Sequence, residues 1–383
     1  MKKWETVSTV GNVIGSLLMI QSALLLLPLI VVFLSAGQRD ARAFVISSAV
    51  CFAAGLVLKK GAKAGRVYFK QSMLICGTAW IVLSFFGALP FYLSGAAGAA
   101  DAYFETVSGL TTTGITIFTD IESLSEGVLF WRSLIQWLGG LGILTFFLAI
   151  TFLSGNTSFQ LFSAESHKIA ASRPTPSIFK TAVILWGLYL LFTLAEIVIL
   201  KGLGLSFFDA VCHSLTTLST GGFSTYDASI DEFRRAGYTH YRAIEYVISF
   251  FMLLGGINFL LHYRFFVGNF RDAVENTEFR VFLGIVIACT GMILLDRVVR
   301  GLPVNPEADF RHTLFTVISL LTTTGYGTTD INLPFFPVFS KQVFILLMVI
   351  GGCVGSTGGG FKVLRITILW KAFVGQIRKL RLP

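Results

Sequence analysis

The sequence predicts an all-α polytopic membrane protein, made of repeated span, pore-loop and span units behind a two-helix N-terminal extension. Three observations lead there. Hydrophobic residues make up 54% of the 383-residue chain and charged residues only 13%, about half the roughly 25% of a soluble domain. Apolar stretches long enough to cross a bilayer recur along the chain. One short Thr/Ser-Thr-Gly segment occurs three times at near-equal intervals. So few charges cannot build a water-facing surface, so lipid acts as the solvent. The net charge of +9 points to basic cytoplasmic loops and not to nucleic acid.

A spanning helix needs about 20 mostly apolar residues. In chain order the candidates are Val13–Phe33, Phe44–Leu58, Ser72–Leu93, Val128–Leu153, Ile178–Leu200, Ile244–Leu261, Val281–Val299 and Val343–Trp370, the last interrupted by glycines. The first two form an extension over residues 1–65. Val13–Phe33 follows Lys2 and Lys3, but it is long and no small-residue cleavage site comes after it. It therefore reads as a retained span and not as a signal peptide. With the N-terminus inside, the inner segments collect 19 of the 30 basic residues: Lys2, Lys3, Lys59, Lys60, Lys63, Arg66, Lys70, Lys168, Arg173, Lys180, Arg264, Arg271, Arg280, Lys362, Arg365, Lys371, Arg378, Lys379 and Arg381. That bias predicts both termini in the cytoplasm. The basic tail Lys371, Arg378, Lys379 and Arg381 reads as an anchor at anionic headgroups.

The extension is followed by three repeats, placed at 66–160, 161–272 and 273–383. Phe104–Gly114, Val211–Gly221 and Phe315–Gly325 align without gaps on a Thr-Gly pair. Asp120, Asp227 and Asp330 follow at nearly the same distance, at the outer mouth, where they concentrate cations or cap loops. Each segment is preceded by one apolar span and followed by another, and each following span carries a glycine pair: Gly139-Gly140, Gly255-Gly256 and Gly351-Gly352. The stretch before each Thr-Gly is about ten residues, roughly 15 Å of helix and too short to span. It predicts a re-entrant half-helix whose C-terminal end directs partial negative charge into the membrane, favouring a cation. The Thr-Gly run then continues as irregular backbone, which at membrane depth must be buried or line a wet cavity. Carbonyls along such a run can replace a cation's hydration shell.

Gly351–Gly360 holds six glycines in ten residues, with Ser356 and Thr357 among them. Each glycine costs a helix about 1 kcal/mol relative to alanine, so the last span should break into a loop. A phosphate loop is not indicated, because Phe361 separates Gly360 from Lys362.

Catalytic chemistry finds no foothold. His167, His213, His240, His262 and His312 have no metal-ligand spacing and no nucleophile beside them. Cys51, Cys76, Cys212, Cys289 and Cys353 lie in or beside apolar stretches without paired spacing, as small hydrophobes do. His213 and Asp209 are four apart on the second half-helix and should meet. Whether Glu105 and Arg132 likewise pair around the first is left open by the sequence. A membrane enzyme would need a nucleophile, base or metal constellation that the sequence does not offer.

The segments Ser108–Gly114, Ser219-Thr220-Gly221-Gly222-Phe223-Ser224, Trp137–Gly142 and Gly351–Gly360 resemble the Trk/Ktr/HKT superfamily of potassium transporters, most closely the bacterial Trk membrane subunit. The resemblance covers essentially the whole chain. It implies potassium uptake across the inner membrane, with pore units arranged around one ion path. Filter carbonyls would come from Thr112, Thr113 and Gly114, from Ser219, Thr220 and Gly221, and from Thr323, Thr324 and Gly325. Glycine at Gly114, Gly221 and Gly325 matches the potassium-selective pattern. The gating loop would be Gly351, Gly352, Gly355, Ser356, Thr357, Gly358, Gly359 and Gly360. The resemblance further implies K+ as the transported ion, no covalent cofactor, a homodimer, and a separate cytoplasmic nucleotide-binding regulatory subunit. Coupling to a second ion is left open. Two departures stand out. The third segment continues as Thr324-Gly325-Tyr326-Gly327, closer to a potassium-channel signature. The superfamily has four repeats, whereas the sequence closes at Pro383 after the third. The expectation is therefore a fragment, a chain completed by another polypeptide, or a non-conducting scaffold form.

Overall fold

A computed structural model describes residues 3–35, 40–62, 69–140, 142, 178–303 and 305–381. These residues are helical and contain no strand. They fall into two compact units, Met1–Gly187 and Leu188–Pro383. Lys2, Lys63, Arg66, Lys168, Arg173, His167, Pro383 and the predicted span beyond position 142 lie outside the described residues.

In the first unit α1 (Lys3–Leu24) and α2 (Leu27–Leu34) form one long apolar span. Pro28 sits in the first turn of α2, where its missing N–H removes no helix bond. The next spans are α3 (Ala41–Lys60) and α4 (Phe69–Gly87), which continues into α5 (Leu89–Leu93). The predicted half-helix is α6 (Ala99–Leu110), followed by α7 (Glu126–Gly140). Phe44, Phe91 and Trp131 are fully buried in the core they share. The backbones of α1 and α3 approach closely: a Cβ at Gly15 would lie 2.7 Å from the Gly55 carbonyl oxygen, and one at Gly55 would lie 2.8 Å from that of Gly15. Small residues give dispersion contacts this approach in lipid, where no hydrophobic force drives helices together.

The chain passes from one unit to the next along α8 (Ile178–Gly202). The second unit contains the half-helix α9 (Phe207–Leu218), the short α10 (Glu232–Arg235), then α11 (Tyr241–Gly256) and α12 (Phe259–Phe266). After α13 (Phe270–Glu275) come the span α14 (Thr277–Val299), the half-helix α15 (Pro306–Leu321), α16 (Val338–Ile350) and α17 (Val363–Arg381).

Five described helices are long and apolar enough to cross a membrane, and α11 with α12 makes a sixth if their bend is allowed. The expected straight span Ile244–Leu261 is therefore corrected. It turns by 101° between Gly256 and Phe259. Ile257 is extended, and Asn258 caps α12 by accepting from the Leu260 amide at 2.8 Å. The expected break in Val343–Trp370 is present, with α16 stopping at Ile350 and α17 resuming at Val363. The half-helices are 12, 12 and 16 residues long.

Gly15→Val should cost about 1–3 kcal/mol through overpacking. Thermal unfolding in detergent should show a lower melting temperature. Gly77→Val is the control, since a Cβ at Gly77 meets nothing within 4 Å.

Candidate functional site

Each half-helix ends in the same backbone turn. In the first, the Thr112 amide donates to the Gly109 carbonyl at 3.0 Å and the Thr113 amide to Ser108 at 2.9 Å. In the second, Thr220 donates to Thr217 at 2.9 Å and Gly221 to Thr216 at 3.0 Å. In the third, Thr323 donates to Leu320 at 3.2 Å and Thr324 to Ser319 at 2.8 Å. The dihedrals repeat as well. Thr112, Thr220 and Thr323 have φ of 53°, 50° and 60°, while Gly114, Gly222 and Gly325 have φ of 76°, 77° and 87°. A β-branched residue in the left-handed region is strained by about 1–3 kcal/mol and persists only where its surroundings over-determine it. The same strain at three equivalent positions marks a functional backbone.

This geometry corrects the gap-free alignment. Gly222, not Gly221, is the conformational counterpart of Gly114 and Gly325, and Gly221 corresponds to Thr113 and Thr324. The sequence offered two adjacent glycines, and only the backbone tells them apart. The extra residues in Thr324-Gly325-Tyr326-Gly327 also find a role. Tyr326 is buried, and its hydroxyl meets the Thr216 hydroxyl and lies 3.4 Å from the carbonyls of His213 and Phe223. The third turn is thereby tied to the second half-helix.

The side chains behind the turns are polar and partnered. Glu105 and Arg132 pair at 2.9 Å with almost no exposure, and Glu105 also accepts from Thr116 and from the Ile117 amide. His213 does bond to Asp209, but through the backbone carbonyl at 2.9 Å. The Asp209 carboxylate is instead occupied by Ser206, Thr225 and Tyr226. Asp120 accepts from the Ser123 amide and Asp330 from the Asn332 amide, so both cap their own loops, and Asp227 is exposed like them. Sequence reading passed over several buried ions: Arg297 with Asp309 at 2.8 Å, Arg311 with Glu245 and Glu307, and Glu278. Glu196 is also fully buried in α8. Their only sequence signal was a charge inside or beside an apolar stretch.

The glycine-rich loop lies against two of the turns. The Cys353 amide donates to the Gly256 carbonyl at 2.9 Å and the Thr357 amide to Gly255 at 3.2 Å. The Thr357 hydroxyl reaches the Leu218 carbonyl at 2.9 Å and the Thr220 hydroxyl at 3.3 Å. The Gly359 amide donates to the Thr323 hydroxyl at 2.7 Å. The Cys353, Thr357 and Gly359 amides are thus committed to protein oxygens. The first two glycine pairs have a matching purpose. A Cβ at Gly139 would lie 2.1 Å from the Leu110 oxygen, and one at Gly255 3.0 Å from that of Leu218. These two pairs let the following helix approach the carbonyl end of a half-helix, whereas Gly351 and Gly352 lie against Gly359, Gly360, Ser356 and Gly256.

Gly222→Ala should be among the most damaging single methyl additions. Its Cβ would lie 1.8 Å from the Thr324 oxygen at a φ that alanine resists. A loss of at least about 2 kcal/mol is expected in detergent unfolding. Arg132→Met leaves Glu105 buried and uncompensated, which should cost about 3–5 kcal/mol in the same assay.

The family model TrkH, described as a cation transport protein, matches residues 38–383. The Trk system potassium uptake protein TrkH of Escherichia coli K12 is 34% identical over 98% of this chain and 77% of its own length. An uncharacterised cation transporter of Methanocaldococcus jannaschii is 32% identical over 86% of this chain and 65% of its own. The crystal structure of the potassium transporter TrkH from Vibrio parahaemolyticus superposes with a TM-score of 0.84 at 30% identity, covering 99% of this chain and 77% of that one. The chain is a multi-pass membrane transport protein and not an enzyme, and it belongs to the TrkH family of cation transport proteins.

Proposed function

We propose that this protein takes up potassium across the cell membrane, selecting the ion with backbone carbonyls at the ends of its half-helices. The carrying observation is the strained turn built three times with one hydrogen-bond pattern, at Thr112–Gly114, Thr220–Gly222 and Thr323–Gly325. Support also comes from the potassium uptake and transport named for the Escherichia coli and Vibrio proteins. A half-helix C-terminus supplies partial negative charge toward a cation. Carbonyl oxygens held by a fixed turn can replace its water. The filter set is Thr112, Thr113, Gly114, Ser219, Thr220, Gly221, Thr323, Thr324 and Gly325, with Gly222 added by its backbone. Asp120, Asp227 and Asp330 enrich cations at the outer mouth.

In the same reading, the loop Gly351–Gly360 is the gate, obstructing the path below the filter. Its bonds to Thr323, Leu218 and the α11 carbonyls support that role. The repeats at 66–160, 161–272 and 273–383, both termini in the cytoplasm, a homodimer and a cytoplasmic nucleotide-binding regulatory subunit complete the reading, by family resemblance. Inward movement of a cation gains about 2.3 kcal/mol per 100 mV.

Expression in cells stripped of their own potassium uptake should restore growth at low potassium and rubidium accumulation. Failure of both, with the protein present in the membrane, would favour a non-conducting scaffold. Gly114→Ser should narrow the preference for potassium over sodium; an unchanged ratio would remove Gly114 from the filter.

A further inference from the structure

The glycine-rich loop has an acidic partner that its own sequence does not reveal. Glu278 sits in the first turn of α14 and is 7% exposed. One carboxylate oxygen accepts from two backbone amides: Val354 at 2.7 Å and Leu364 at 3.2 Å. Val354 lies inside the glycine-rich loop, and Leu364 lies in the first turn of α17 just beyond it. A single side chain on a separate helix therefore holds both ends of a ten-residue excursion. A carboxylate bonded to backbone amides makes hydrogen bonds about twice as strong as neutral ones. At the start of α17 the helix dipole adds to the attraction.

A second charge closes the arrangement from the loop's own side. Lys362 has φ of 79°, and its ammonium donates to the Gly358 carbonyl inside the loop. Main-chain bonds complete the fastening, from Phe361 to Val349 at 2.9 Å, from Lys362 to Ile350 at 2.7 Å and from Val363 to Gly352 at 3.1 Å. Glycines at Gly351, Gly355 and Gly360 with φ near +78° leave the loop little stiffness of its own. Its position must be imposed from outside.

We infer that Glu278 is a positioning residue, a latch that keeps the Gly351–Gly360 loop seated against the second and third turns, with Lys362, just beyond the loop, bonding back to the Gly358 carbonyl. The inference rests on reading that loop as the gate. Displacing the loop requires the Val354 and Leu364 amides to leave a buried carboxylate. Weakening the carboxylate raises the unlatched population.

Cys353 provides a readout independent of transport. It lies beside Val354 and is fully buried while the loop is seated. In a background with Cys51, Cys76, Cys212 and Cys289 replaced by serine, maleimide labelling of purified protein in nanodiscs reports loop displacement directly. Glu278→Gln should speed Cys353 labelling about ten-fold, the factor expected for losing roughly one charge-assisted hydrogen bond. It should also raise potassium flux several-fold, and Lys362→Met should move both in the same direction. Wild-type labelling rates in both variants would overturn the latch. If Glu278→Gln does not purify as a monodisperse protein, Lys362→Met decides alone. Deleting Gly355–Gly359 separates the two ideas. If that deletion raises flux while neither point variant alters labelling, the gate stands and the latch is wrong. If the deletion leaves flux unchanged, the gate reading fails, and Cys353 labelling still decides whether Glu278 seats the loop.

Discussion

Every helix that stops inside a membrane leaves its last carbonyls without partners, and no water is at hand to supply them. Much of this structure answers that constraint. α6, α9 and α15 each close with two amide bonds back into the last turn. What remains is shared out among side chains and the glycine loop. The Thr357 hydroxyl reaches the Leu218 and Gly255 carbonyls, and the Cys353 and Thr357 amides take those of Gly256 and Gly255. Gly139 and Gly255 follow from the same need, because only a helix without a Cβ atom at the crossing can come this close to the Leu110 and Leu218 carbonyls.

The few charges are spent where they fix geometry. Glu105–Arg132 joins the first half-helix to α7. Arg297–Asp309 joins α14 to the third half-helix, with the guanidinium 3.9 Å over the Phe335 ring, and Arg311–Glu245 joins that half-helix to α11. A buried ion pair adds little net stability over an apolar pair, but it penalises every arrangement that separates the partners. That makes it suited to holding a half-helix whose short length buries little surface. Glu278 applies the same principle to a loop, with backbone amides in place of a cation.

Composition and repetition carried most of the architecture. A charged fraction of 13% excluded a soluble fold, and the half-helices and the glycine break were legible from length, spacing and residue type, while the Glu105–Arg132 pair was open until the structure showed it. The limits are equally specific. Ser219-Thr220-Gly221-Gly222 contains two glycines, and letter matching aligned the first, whereas the turn places its positive φ on the second. Ile244–Leu261 reads as a straight span because apolar character is blind to direction, yet Asn258 and the glycine-loop amides bend it by 101°. His213 found Asp209 as spacing foretold, but the carboxylate had already been taken by groups from the following loop.

By itself the sequence determined what must be buried in lipid, where helices must stop, and which short segment is used three times. Those are local matters of hydropathy, length and glycine content. Tertiary structure alone decided which atoms meet: Tyr326 against Thr216, Thr357 beneath Leu218, Glu278 across the ends of the glycine loop. These contacts join residues dozens to more than a hundred positions apart. No periodicity encodes them, because each depends on where separate helices direct their termini once packed.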